Sequence, residues 1–234
     1  MARPKPKKRQ PTRQTSTASK NQQTLWIIMG VAALAVILLI AIGLLSRQSS
    51  QPSTASVIGE VSARGKTLGD PNAPVEVWDF SDFHCPHCRR FAQETVPQLV
   101  ETYVKTGKVR LVYKHFIVIR SWDAANASEC AAEQGKFWEY HDYLFQRQET
   151  DAPFTKDKLK QYARDLGLDT AKFDQCVDTG KYMNVVQKEM DEGRRLGVRG
   201  TPSIFVNGKF IPRGALWPDL QQAIEQALQE AGSG

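Results

Sequence analysis

The chain has 234 residues, 41% hydrophobic and 24% charged, with 16 Gly and 12 Pro in no period of three; this argues against disordered, collagen-like and low-complexity chains and permits one sizeable core. The formal charge of +6 comes from one end, because seven of the 31 basic residues (Arg3, Lys5, Lys7, Lys8, Arg9, Arg13 and Lys20) precede residue 25 and the first acidic residue is Glu60. Without that tail, 24 basic residues face 25 acidic ones, and no nucleic-acid-binding surface is favoured.

Residues 1–24 read as a basic cytoplasmic tail. From Leu25 to Leu45 the chain is uncharged and almost wholly apolar, and its 21 residues, at about 1.5 Å each, cover a hydrocarbon core of about 30 Å. This predicts a transmembrane signal-anchor helix at 25–45 in contact with membrane lipid; a buried core helix is the alternative. Positive charge before the helix, against Arg47 alone just after it, predicts a single-pass cell-membrane protein with its N-terminus cytoplasmic and its catalytic domain extracytoplasmic. A cleaved signal peptide competes, but its apolar region is shorter and Leu44-Leu45-Ser46-Arg47 is a poor cleavage site, although Thr54-Ala55-Ser56 offers a later one. Residues 46–57, rich in Ser and Gln, read as a flexible tether, and the folded domain is expected over 58–234.

The segment Val75 to Phe80 alternates and is rich in strand formers, whereas Phe91, Val96, Leu99, Val100 and Tyr103 recur at helical spacing. Between them stand Cys85-Pro86-His87-Cys88, so this pair sits where a strand passes into a helix. A sulfur at a helix N-terminus faces unpaired N–H groups and the positive end of the dipole, which favour the thiolate. Cys85 is therefore the expected nucleophile and Cys88 the resolving thiol. Pro86 suits the first helical position, and His87 is expected to add positive charge or a donor near Cys85. Stabilising the thiolate stabilises the reduced pair, which makes its disulfide a ready electron acceptor.

Zinc is the competing use of a Cys-x-x-Cys pair, with His84 and His87 close by. A closed site needs a second ligand pair at short spacing, which Cys130 and Cys176 do not form, so no metal and no cofactor are expected. A purely structural Cys85–Cys88 bridge is disfavoured because so small a loop constrains little of the unfolded chain.

Taken with the opening Leu68-Gly69-Asp70-Pro71-Asn72-Ala73-Pro74, these residues resemble the membrane-tethered bacterial DsbA-like thiol:disulfide oxidoreductases of the thioredoxin-fold superfamily, over about residues 66 to 231. Gly200-Thr201-Pro202-Ser203, before the apolar Ile204-Phe205-Val206 and an Asn207-Gly208 hairpin turn, matches the cis-proline loop of that family. The resemblance implies a cis Thr201–Pro202 bond, with Thr201 and Pro202 holding an extended substrate beside Cys85. It also implies that Asp79, six residues before Cys85, is a buried carboxylate that moves the proton of Cys88; an acid that hydrogen-bonds locally at the strand end is the alternative. Asp82 is expected to be solvated.

After a strand over Val109 to Phe116, about 85 residues precede the next strand and read as helices. Ser121 is expected to cap a run with Ala124, Ala127, Ala131, Phe137, Tyr140 and Leu144; Leu159 to Leu166 and Phe173 to Val177 follow, with Gly167 and Gly197 as stops. The fold class is thus α/β: a thioredoxin fold with an inserted all-helical domain at about 119–197, preceded by one transmembrane helix. Cys130 and Cys176 fall in two helices of the insert and are expected to form a structural disulfide, two buried free thiols being the alternative. His115 and His141 read as structural, and Trp217 to Leu228 as the closing helix.

The expected function is donation of the Cys85–Cys88 disulfide to the free thiols of substrate proteins. The family implies reoxidation by a DsbB-like or VKOR-like membrane partner. A membrane-anchored reductase or isomerase, and a non-catalytic client-binding chaperone module, are the rival readings. Residues 46 to 65 are too few for an N-terminal dimerisation domain, and a monomer is expected.

Overall fold

The computed structural model describes residues 63–233, together with Met29 and Val61. The chain divides into units Met1–Gln51 and Pro52–Gly234, and the sheet and its helices belong to the second. The basic tail, the expected membrane span at 25–45 and the tether at 46–57 lie, Met29 apart, outside the described residues. Among the described residues no helix is long and apolar enough to cross a membrane.

Strands β1 (Ala63–Arg64), β2 (Thr67–Leu68), β3 (Val75–Ser81), β4 (Val109–His115), β5 (Ser203–Val206) and β6 (Lys209–Phe210) form one sheet in the order β1-β2-β4-β3-β5-β6. The central β3 runs parallel to β4 and antiparallel to β5. A parallel pair needs a crossover, and helix α1, residues 86–104, supplies it. Side chains alternate across a strand, so Val75, Val77 and Asp79 of β3 share one face. Val75 and Val77 lie in the main core with Phe91, Leu99 and Tyr103 of α1 and with Leu220 and Ile224 of the last helix, α7 (Trp217–Gly232). Phe80 points the other way, into a second cluster with Phe116, Met190 and Phe205.

Five helices stand between β4 and β5: α2 (Trp122–Ala132), α3 (Phe137–Asp151), α4 (Lys156–Asp165), α5 (Thr170–Thr179) and α6 (Met183–Arg195). The run expected to continue from Ser121 through Leu144 is two helices, broken at Gly135, whose φ of +73° no side-chain-bearing residue adopts readily. Ser121 stands at the N-cap of α2, yet its hydroxyl makes no hydrogen bond there. The side-chain caps that do form are Thr155 on α4 and Asp169 on α5. Cys130 of α2 and Cys176 of α5 are joined by a disulfide with Cα atoms 5.9 Å apart.

Helix α1 is less regular than its apolar spacing suggests. It widens into π-turns at Phe91–Thr95 and Val100–Val104, the first just before Pro97. Proline has no N–H to give the preceding turn and its ring crowds the carbonyl four residues back, so the helix accommodates it by an i→i−5 bond from Val96 to Phe91. Beyond the insert, Asn207 and Gly208 both have positive φ and close the β5–β6 hairpin, as an Asn-Gly turn requires. The Thr201–Pro202 peptide preceding β5 is cis, and so is Ala152–Pro153 between α3 and α4.

Candidate active site

Cys85 is in extended conformation at the N-cap of α1, with Pro86 opening the helix. Two short-range bonds set this junction: the Cys85 N–H donates to the Asp82 carbonyl at 3.0 Å, and the Arg89 N–H donates to the Cys85 carbonyl at 3.1 Å. One turn on, Cys88 is completely buried, while Cys85 keeps 4% of its surface open to solvent. Pro86 and His87 are exposed. From the segment that leads into β5, the neighbour of β3, the Thr201 carbonyl accepts the Cys85 thiol at 3.4 Å, so the loop carrying Thr201 and Pro202 lies directly against the outer sulfur.

The two thiols differ sharply. A hydrogen bond from Cys88 is the largest influence on Cys85 and, against the penalty of burial, brings it down to about 5, helped by the backbone N–H groups of Cys88 and His87. Among these influences His87 contributes through its backbone, where its ring was expected to act. Burial, followed by the bond to Cys85 and the charge of Asp79, pushes Cys88 well above an ordinary thiol. The outer sulfur is therefore the thiolate at neutral pH and the inner one the thiol.

Asp79 lies on the core face of β3 and is 4% exposed, and it also hydrogen-bonds locally, to the Ser81 hydroxyl two residues on. Burial pushes it up to about 7; the Ser81 hydroxyl, which donates to Oδ1, opposes this, and the neighbouring Cys85 charge reinforces it.

Asp82 differs from expectation: it is wholly buried. Its Oδ1 accepts the His84 N–H at 2.8 Å, and Oδ2 accepts the Val118 and Ile119 N–H groups at 2.7 and 2.6 Å. Three backbone donors replace the water a carboxylate would otherwise need. The bond to the residue two positions on is an Asx turn, the one short-range signal of this role in the sequence. Gln148 of α3 was missed outright. Its amide donates to the carbonyls of Phe83 at 2.8 Å and Cys85 at 3.1 Å, so the helical insert holds the backbone of the nucleophile. An ion pair between Arg89 of α1 and Glu149 of α3 joins the same two helices at the surface.

Both ring nitrogens of His84 have partners, the Ile119 carbonyl and the Phe154 N–H, and neither is left to ligate a metal beside Cys85. Elsewhere His115, Glu129 and Glu189 bring their ligand atoms together, but the Lys66 ammonium pairs with both carboxylates and supplies the positive charge itself. His115 bonds Glu129 at 3.1 Å and His141 bonds Asp142 at 2.8 Å, both buried, in keeping with structural histidines.

The family model described as Thioredoxin matches residues 62–226. The chain belongs to the thioredoxin family. It is 29% identical over 220 residues, 91% of its own length and 99% of the relative's, to "Probable disulfide bond formation protein D" of Bacillus cereus. Among solved structures, oxidised BdbD of Bacillus subtilis superposes with a TM-score of 0.66 at 27% identity, over 72% of this chain and 96% of that one. Chlamydia trachomatis DsbA, at 22% identity and a TM-score of 0.63, covers 73% of this chain and 95% of its own and shares the fold. Thioredoxin-family membership, the match to the B. cereus relative along nearly its whole length and the likeness to BdbD make this chain a DsbA-like protein disulfide oxidoreductase. Its thioredoxin fold carries the helical insertion between β4 and β5.

Proposed function

We propose that the chain donates the Cys85–Cys88 disulfide to the thiols of reduced substrate proteins outside the cytoplasm. The observation that carries this reading is the asymmetry of the pair, with Cys85 brought down to about 5 and Cys88 pushed up. A stabilised Cys85 thiolate lowers the free energy of the reduced form, so the oxidised form gives up its disulfide readily.

In the proposed cycle a substrate thiolate attacks the Cys85 sulfur, the Cys85–Cys88 bond breaks, and its electron pair leaves on Cys88. Asp79, with its raised pKa, is proposed to exchange the Cys88 proton, and the attack reaches Cys85 through the 4% of its surface that stays open beside the exposed Pro86 and His87. Substrate chain lies along Thr201 and Pro202, where the Thr201 carbonyl already faces the sulfur. A second substrate thiolate attacks the substrate sulfur of the mixed disulfide and releases Cys85 as the thiolate. The substrate loses two electrons and two protons; the protein gains both electrons and, on Cys88, one proton, and the other proton goes to water. A quinone-linked membrane protein of the DsbB or VKOR type is the proposed electron acceptor. Residues 25–45 are proposed to anchor the domain, with the seven basic residues of the tail on the cytoplasmic side.

Equilibration of the full chain against glutathione buffers tests the direction of transfer. A reduction potential near the oxidising end of the range of about −120 to −270 mV supports donation; one near the other end makes the protein a reductase. Labelling of Cys85 in intact cells by a membrane-impermeant alkylating reagent tests the location, and protection from that reagent until lysis would refute it.

A further inference from the structure

Four segments around the Cys85 sulfur share a charge pattern. Cys85 to Ala92 at the start of α1, Phe116 to Trp122 after β4, Leu196 to Val206 around the cis bond and Ile211 to Trp217 leading into α7 contain no Asp or Glu, and each contains arginine. Three contacts bring them together. The Thr201 carbonyl stands 3.4 Å from the sulfur, the Ile119 carbonyl lies 2.8 Å from Nδ1 of His84, and the Thr95 hydroxyl of α1 donates to the Ala215 carbonyl at 2.9 Å. His87, Arg90 and Arg213 line one cavity of about 430 Å³. A fifth segment, the α3–α4 corner, does carry acids, but Glu149 pairs with Arg89 and Asp151 accepts the Tyr162 hydroxyl at 2.6 Å.

Arg89 and Arg213 are held in local pairs, the second with Asp219 at 3.4 Å. Arg90, Arg120 and Arg199 differ: all three are exposed, and their side chains form no ion pair or hydrogen bond among the described residues. Of the neighbouring acids, Asp82 is buried under three N–H donors and Asp123 sits in the first turn of α2, where the helix dipole offsets its charge. Exposed Glu94, one turn beyond Arg90, leaves an excess of positive charge. Arg90 follows Cys85 by about 7.5 Å of helix rise, Arg199 is two residues from Thr201, and Arg120 adjoins Ile119. These separations are comparable to the Debye length of about 8 Å at physiological salt, so the three charges act on an approaching chain without touching the sulfur. In the oxidised protein Cys85 carries no charge to cancel them.

We propose that Arg90, Arg120 and Arg199 form a cationic rim that selects substrate segments whose reactive cysteine is flanked by acidic residues. The rim encircles a sulfur, so the anion it draws is delivered to a thiol acceptor; a lipid headgroup or a nucleic acid has no thiol to give. Acidic neighbours disfavour the substrate thiolate in water, and the rim offsets that cost as the chain arrives. The covalent step is unchanged: the substrate thiolate bonds the Cys85 sulfur, and the electron pair of the broken Cys85–Cys88 bond leaves on Cys88. The inference rests on Cys85 being the attacked sulfur of a disulfide donor.

The test mixes the oxidised full chain, in uncharged detergent, with unstructured dithiol peptides of one length whose cysteines are flanked by Asp, Gln or Lys. Each second-order rate constant is divided by that of the same peptide with hydroxyethyl disulfide, an uncharged oxidant, which removes differences in the peptides' own thiol reactivity. At low ionic strength the Asp peptide is expected to react about tenfold faster than the Lys peptide, with Gln between them, and the spread should fall to about twofold in 1 M salt. The combined variant Arg90→Gln, Arg120→Gln, Arg199→Gln should shrink the low-salt spread to about twofold without moving the titration of Cys85. Arg64→Gln, Lys188→Gln and Lys209→Gln together make the same charge change elsewhere on the surface and should keep the spread. A spread that is absent, that survives 1 M salt, that survives in the first variant or that is lost equally in the second overturns the proposal. If the oxidised chain reacts with no peptide, the donor reading fails instead, and the same peptides as disulfides, offered to the reduced chain, decide the charge preference by the same comparison.

Discussion

The Cys85 sulfur and the Thr201 carbonyl oxygen stand 3.4 Å apart although 116 residues separate them in the chain. The helix start that activates the sulfur and the loop that faces it are thus brought together by the pairing of β3 with β5, whose register sets Phe80 opposite Ser203. Thiol chemistry at this junction depends on the sheet as much as on the Cys-x-x-Cys spacing.

Titration of the reduced protein, followed by thiolate absorbance or by alkylation rate, should show a midpoint near 5 that is absent in Cys85→Ser. Cys88 should stay protonated through neutral pH. Since the folded value of Cys85 lies below its ordinary 9.0, the thiolate's contribution to stability is complete above about 9 and is lost as pH falls toward 5. Urea unfolding should therefore show the stability advantage of the reduced protein over Cys85→Ser shrinking across that window.

Asp79 acts with the opposite sign. Its value is raised from 3.8 to about 7, so it costs nothing below the ordinary value and progressively destabilises the fold as pH rises to 7 and beyond, by at most about 4 kcal/mol. Asp79→Asn should match the unsubstituted protein in stability at low pH and exceed it at pH about 8. The same variant should lose an inflection near 7 in the pH profile of thiol oxidation, because the group proposed to exchange the Cys88 proton is gone.

Gln148→Leu removes the donor shared by the Phe83 and Cys85 carbonyls; the Cys85 carbonyl keeps the Arg89 N–H, and the buried Phe83 carbonyl loses the Gln148 amide. A loss of about 1 to 3 kcal/mol is expected in urea unfolding, the cost of one unsatisfied buried group. A loss within about 0.5 kcal/mol would mean that α3 does not support the nucleophile's backbone.

Cys130→Ala combined with Cys176→Ala opens a crosslink spanning 46 positions, and the chain-entropy relation gives a loss of about 4 kcal/mol. Thiol oxidation at 25 °C should continue, because neither sulfur touches Cys85 or Cys88. Unfolding curves and activity measured on one preparation check both halves of this expectation.

Gly193→Ala tests how α6 is seated on the sheet. A methyl group there would come within 2.6 Å of the Phe116 ring, which is buried between α6 and Phe80. Overpacking of about 1 to 3 kcal/mol should exceed the gain of about 1 kcal/mol in helix propensity, giving a lower melting temperature.

The chemistry of the pair was legible because it is local. Strand formers, Cys85, Pro86 and helical spacing occupy adjacent positions, and a strand-to-helix junction follows from their periodicities and the fixed φ of proline. The helical character of the insert and the Asn207-Gly208 turn are readable in the same way, since each is dictated by residues within a few positions of one another. Gly135 is equally local, since its positive φ closes α2 at a single residue. What the sheet, the insert and the sulfur do to one another was not local. Asp79 is buried because it shares a face with Val75 and Val77 under α1, and Asp82 is buried because the β4–α2 loop brings it two N–H groups from about 36 positions away. Gln148 and His84 gain their roles from carbonyls and an N–H that lie 35 to 70 positions distant. A polar side chain carries the same identity whether water or a distant backbone satisfies it, and only the folded chain decides which.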